Sequence, residues 1–170
     1  MKFWTFQTKE RCELLFKGIP IVPDWSKPQP IKGCSMEAYR YILDRYNHKF
    51  NSHDTGLIFG YVADTWEEVV KKYKDAGSPS GAMFPEETHV LLELELPDYF
   101  PIMEIDFYRF SDLMFYMEFG FDDEVVEAKK WLFVPNSRYV KGNNVLQFPV
   151  SHIPCIKPDW VVNRKDERNG

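Results

Sequence analysis

His89-Val90-Leu91-Leu92-Glu93-Leu94-Glu95-Leu96 is the stretch whose pattern decides the fold. Val90, Leu92, Leu94 and Leu96 recur at every second position, with Leu91, Glu93 and Glu95 between them. Successive side chains of a strand point to opposite faces, so this pattern predicts a strand covered on one side and wet on the other. Pro97 stops it, because proline has no N–H to give a ladder. One-sided strands belong to mixed or antiparallel sheets rather than to the doubly covered strands of a parallel sheet.

The same logic runs outward to both ends. Lys2 to Thr8 reads as a strand, with Trp4 and Phe6 on one face and Phe3, Thr5 and Gln7 on the other. Lys9 to Lys17 reads as a short helix that buries Leu14 and Leu15 and ends at Gly18. Pro20, Pro23, Pro28 and Pro30 then deny helix and central strand alike, which predicts a stiff loop around Trp25. Ser35 is placed to cap the next helix. Tyr39, Ile42, Leu43, Tyr46 and Phe50 form its apolar stripe at spacings of three and four. Leu57 to Val62 is a near-continuous apolar run that predicts a central strand. Asp64 and Glu67 have capping-box spacing ahead of a helix to about Ala76, with Trp66, Val69, Val70 and Tyr73 on its buried face.

Beyond the deciding stretch, Ile102 to Ile105 reads as a short extended piece. Asp106 to Phe119 reads as a helix ended by Gly120, and Asp122 opens another to about Phe133. Asn144 to Val150 and Ile153 to Lys157 read as late strands. Residues 164–170 read as a polar tail following a single domain over 1–163. Strands and helices mix without βαβ alternation. The expectation is α+β: a mixed or antiparallel sheet of about five strands with helices packed on it.

Charge separates along the chain. The 170 residues carry a net −5, yet Glu86 to Glu127 alone holds thirteen acidic residues against one basic, Arg109. That segment carries −12 and the remainder +7. An acidic face would repel nucleic acid and attract a basic partner. No apolar run approaches the ~18 residues that span a bilayer. Lys9, Glu10 and Arg11 interrupt any apolar leader after Phe3-Trp4-Thr5-Phe6. Three widely spaced cysteines, Cys12, Cys34 and Cys155, make neither a disulfide framework nor a CxxC zinc pair. The expectation is a reduced, cytoplasmic setting with no metal. No Walker loop and no GxGxxG is present, which argues against the usual phosphate cradles.

Trp4-Thr5-Phe6-Gln7, Ala38-Tyr39, Leu57-Ile58-Phe59-Gly60-Tyr61 and Val90 through Pro97 recur in a recognisable order. Trp131-Leu132-Phe133 and Val145-Leu146-Gln147-Phe148 follow them. In that order the chain resembles an uncharacterised bacterial and phage family catalogued as a domain of unknown function (number thirty-eight forty-one). The resemblance implies a single cytoplasmic domain and supplies no activity.

Two functions are expected. The first strand, the Gly-ended helix and the strand bearing Tyr61 look like an ADP-ribosyltransferase layout. That likeness implies a pocket for a nucleotide of the NAD class, lined by Trp4, Gln7, Tyr61 and Gln147. Gln7 would orient ribose and Tyr61 would stack on nicotinamide. Gln147 stands where such enzymes place a glutamate, so this version, degenerate or unusual, would bind better than it reacts. The alternative is a non-catalytic interaction or inhibitor protein. It would use an acidic face of Glu93, Glu95, Glu118, Asp122 and Asp123 to occupy a basic site on a partner protein.

Overall fold

The computed structural model describes residues 1–27, 36–75, 88–133 and 148–165. Among them the chain forms five α-helices and one six-stranded sheet, an α+β architecture. The strands are β1 (Lys2–Thr8), β2 (Ile58–Val62), β3 (His89–Glu95), β4 (Met103–Asp106), β5 (Pro149–Ile153) and β6 (Val161–Lys165). The helices are α1 (Lys9–Phe16), α2 (Met36–Phe50), α3 (Trp66–Asp75), α4 (Phe107–Phe119) and α5 (Asp122–Trp131). The strand order is β4-β5-β2-β1-β3-β6, and every neighbouring pair is antiparallel. No described helix is long and apolar enough to cross a membrane.

β1 and β3 form the longest ladder, from Lys2 opposite Glu95 to Thr8 opposite His89. Their alternation splits the core in two. On one face Trp4, Tyr61, Leu91, Ile105 and Val150 pack against α2, α3, α4 and α5. On the other, Phe3, Ile58, Leu92, Leu94 and Ile153 pack against Cys12 and Leu15 of α1 and against Ile156 and Trp160. β3 is therefore covered on both sides. Leu91, expected on a wet face, is buried because β3 lies inside the sheet and helices roof that face.

Several local expectations shift for physical reasons. Five strands become six because residues 161–165 pair with β3 as an edge strand, with Arg164 opposite Leu92 and Lys165 opposite Leu91. An edge strand needs only backbone partners, so its polar, exposed sequence looks like a tail. In α1, Cys12 and Leu15 face the sheet while Leu14 is 47% exposed. A two-turn helix has room for one narrow buried stripe, and Leu14 stands a third of a turn off it. The α3 cap falls one residue later than Asp64 and Glu67. The Thr65 hydroxyl accepts from Glu68 N at 3.3 Å, and Glu68 Oε2 accepts from Asp64 N at 3.1 Å. Of the late strands, residues 149–153 form β5 while residues 144–147 lie outside the described residues, and Ile156 makes an isolated bridge to Ile21 that ties down the start of the proline-rich loop. Ser35 as a cap lies outside the described residues.

Candidate functional site

Trp4 and Tyr61 are brought together. They are paired across β1 and β2, and both rings close on Trp66, at 6.0 and 6.1 Å between centroids. Phe6 meets Trp66 edge-on at 5.5 Å, and Phe148 lies 5.6 Å from Tyr61. Trp4 Nε1 donates to Ala63 O at 2.9 Å. Trp66 thus centres a packed aromatic cluster, and Trp4 and Tyr61 are core side chains, 5% and 4% exposed.

Gln7 is not brought to them. It points to the opposite face of β1 with Thr5, where its Nε2 donates to Thr5 Oγ1 at 3.0 Å. Thr5 Oγ1 in turn donates to Phe59 O at 2.9 Å. The amide is buried and spent on a neighbouring side chain. Gln147 lies outside the described residues. The cavity beside Tyr61, closed by Val69, Lys72, Glu104 and Phe148, holds about 80 Å³. Pockets that take nucleotide-sized ligands hold roughly 300–1,000 Å³.

His48 and His53 are exposed, and His152 is buried in β5. Burial holds the His152 imidazole down at about 4, so it is neutral at ordinary pH. Burial pushes the Cys12 thiol up to about 11, which removes its nucleophilic form near neutrality. Among the described residues, no three His, Cys, Asp or Glu side chains converge as metal ligands would. Lys129 lies over the Tyr41 ring and Lys130 pairs with Glu127, so α5's cations are engaged locally.

The five acidic candidates divide. Glu93 pairs with Lys2 at 3.1 Å, and Glu95 with the N-terminal amine at 2.7 Å. Both charges are answered within the β1–β3 ladder. Glu118, Asp122 and Asp123 are exposed at the corner between α4 and α5, joined there by Glu124. Among the described residues none of these four carboxylates has a cation at ion-pair distance. The nearby pairs are Arg109–Asp112 and Lys130–Glu127. Asp122, Asp123 and Glu124 fill the first turn of α5, where the helix dipole stabilises each by about 0.3–1 kcal/mol.

The corner holds a second feature that the sequence reading passed over. Phe115, Phe119 and Phe121 are 52%, 63% and 46% exposed. Phe115 lies 4.8 Å from Phe119 and stacks on Phe121 at 6.2 Å. Gly120, at φ 72°, turns the chain so that Phe121 folds back onto α4. Each ring, about half exposed, forgoes roughly half of the ~1.5–3 kcal/mol that full burial supplies. The signal was present in Phe-Tyr-Arg-Phe-Ser-Asp-Leu-Met-Phe-Tyr-Met-Glu-Phe, residues 107–119, whose apolar positions outnumber one buried stripe. α4 spends Phe110 and Leu113 on the core and has rings to spare.

The corner is therefore an aromatic surface rimmed by carboxylates that, among the described residues, have no cation at ion-pair distance. No family model, curated protein or solved structure matches this chain.

Proposed function

We propose that this chain is a non-catalytic binding protein whose α4–α5 corner captures a basic, apolar segment of a partner protein. The observation that carries the reading is the cluster of exposed Phe115, Phe119 and Phe121 beside the carboxylates of Glu118, Asp122 and Asp123, which have no ion-pair partner among the described residues. Aromatic rings supply contact area, and the acidic rim selects for cationic neighbours and steers their approach. Within the −12 of residues 86–127, Glu93, Glu95, Asp112 and Glu127 are paired, and Glu118, Asp122 and Asp123 are the charges that stand beside the exposed rings.

The test is fluorescence anisotropy with a labelled, amphipathic Lys/Leu peptide. Binding should weaken steeply with added salt, as screening shortens the Debye length from ~10 Å at 0.1 M. Phe119→Ser combined with Asp123→Asn should weaken it at least tenfold while the circular dichroism spectrum stays unchanged. Equal binding by that variant would sink the reading.

A further inference from the structure

Among the described residues, eleven large apolar side chains are strongly exposed, and all but Phe59 and Tyr99 fall into two groups. Phe115, Phe119, Phe121 and Val126 belong to the α4–α5 corner. Leu14, Phe16, Ile19, Val22 and Val162 gather around the end of α1. There two open grooves flank the helix. One, of about 470 Å³, runs between Phe16 and the β6 residues Val162 and Arg164. The other, of about 360 Å³, lies between Leu14, Val22 and Arg11. Contiguous apolar surface of this kind marks an interaction site more often than scattered single residues do.

This second surface has the opposite charge. Arg11, Lys17, Lys27, Lys157 and Arg164 are exposed around it, against Glu10, Glu13, Asp24 and Asp159, and the charged residues that line the grooves themselves are Arg11, Lys27, Arg164 and Asp24. The Arg164 guanidinium already lies 4.8 Å from the Phe16 ring, which shows how a cation and an aromatic ring share this groove. The two surfaces also occupy opposite ends of the fold. α4 contacts β4, one edge of the sheet, and packs on the helix-covered face. The groove is built from β6, the other edge, and from α1 on the other face.

We infer that the basic, apolar partner is a second copy of this chain, with the α4–α5 corner of one copy seated on the α1–β6 groove of the next. The inference rests on the reading of the corner given above and names its partner. Phe119 and its neighbours meet Leu14, Phe16 and Val162, while Glu118, Asp122 and Asp123 face Arg11, Lys17 and Arg164. Because the two surfaces are different and lie at opposite ends, each copy keeps one of each free. Such a contact is heterologous and propagates head to tail instead of closing after one pairing.

Sedimentation velocity of the full chain across the micromolar range tests this. The weight-average mass should climb past twice 20.2 kDa with concentration and return to 20.2 kDa in about 1 M NaCl, where the Debye length is ~3 Å. A corner variant, Phe119→Ser with Asp123→Asn, and a groove variant, Phe16→Ser with Arg164→Gln, should each sediment as monomers. Mixed together they should give a capped dimer, since one intact corner and one intact groove remain. A monomer at every concentration, a plateau of the unaltered chain at twice its mass, or no dimer on mixing overturns the inference. The groove variant titrated with the Lys/Leu peptide separates this from the reading of the corner. Peptide bound without self-association means that only the identity of the partner is wrong. No peptide bound means that the corner itself is wrong.

Discussion

The Phe3 ring occupies the space that a side chain at Gly60 would need. A Cβ built there would lie 2.5 and 2.7 Å from two Phe3 ring carbons and would also meet the Trp4 carbonyl. β1 and β2 can pair at the centre of the sheet only because position 60 has no side chain.

Gly60→Ala should therefore cost about 3 kcal/mol or more, the upper range of overpacking, because backbone as well as ring must move. A urea titration followed by tryptophan fluorescence checks it. An unchanged midpoint would mean that the ring has somewhere to go.

Thr5 is the link between Gln7 Nε2 and Phe59 O, accepting from one and donating to the other. Thr5→Val keeps the shape and removes the partner of the buried Gln7 amide and of the part-buried Phe59 carbonyl, so stability should fall by about 1–3 kcal/mol. Thermal unfolding of the variant beside the unaltered chain measures it. A neutral result would show that Gln7 finds a different acceptor.

His152 gives the fold an acid sensitivity whose sign follows from its burial. The folded-state value is about 4 against 6.5 for the free side chain, so the unfolded chain binds the extra proton between those values. The favourable contribution is complete above about pH 6.5 and is lost as pH falls toward 4. At 1.36 kcal/mol per unit the full span is about 3 kcal/mol. His152→Leu should flatten stability over that window. A variant whose unfolding free energy still falls as steeply would assign the acid sensitivity to other groups.

The shifted cap of α3 makes a paired prediction. Thr65→Ala removes the hydroxyl that accepts from Glu68 N and should cost about 1 kcal/mol. Asp64→Ala leaves that bond and the Asp64 N–H to Glu68 Oε2 in place, so its unfolding free energy from urea titration should fall by about a few tenths of a kcal/mol at most. The reverse ranking would restore the cap to Asp64.

Much of the fold was legible because local periodicity carries it. The β1 alternation, the α2 stripe through Ile42 and Tyr46, and the stop at Gly120 each follow from spacing or from backbone freedom within a few residues. β6 escaped because Val161-Val162-Asn163-Arg164-Lys165 takes its structure from β3, about seventy residues away in sequence. The candidate site divides in the same way. Trp4 and Tyr61 face each other across β1 and β2 as core side chains, and the same alternation of β1 turns Gln7 to the other face.

The sequence by itself determined the elements that carry their own periodicity, such as β1, β3 and α2, and that an excess of negative charge lay between residues 86 and 127. Only the tertiary structure decided which charges remain unanswered. Lys2 and the N-terminal amine are far from Glu93 and Glu95 along the chain and reach them only through the β1–β3 ladder. Periodicity reports what an element wants to bury, whereas neutralisation and exposure depend on which distant elements arrive beside it. For that reason Glu118, Asp122 and Asp123, with three rings left over from α4 and its turn, stand out only in the folded molecule.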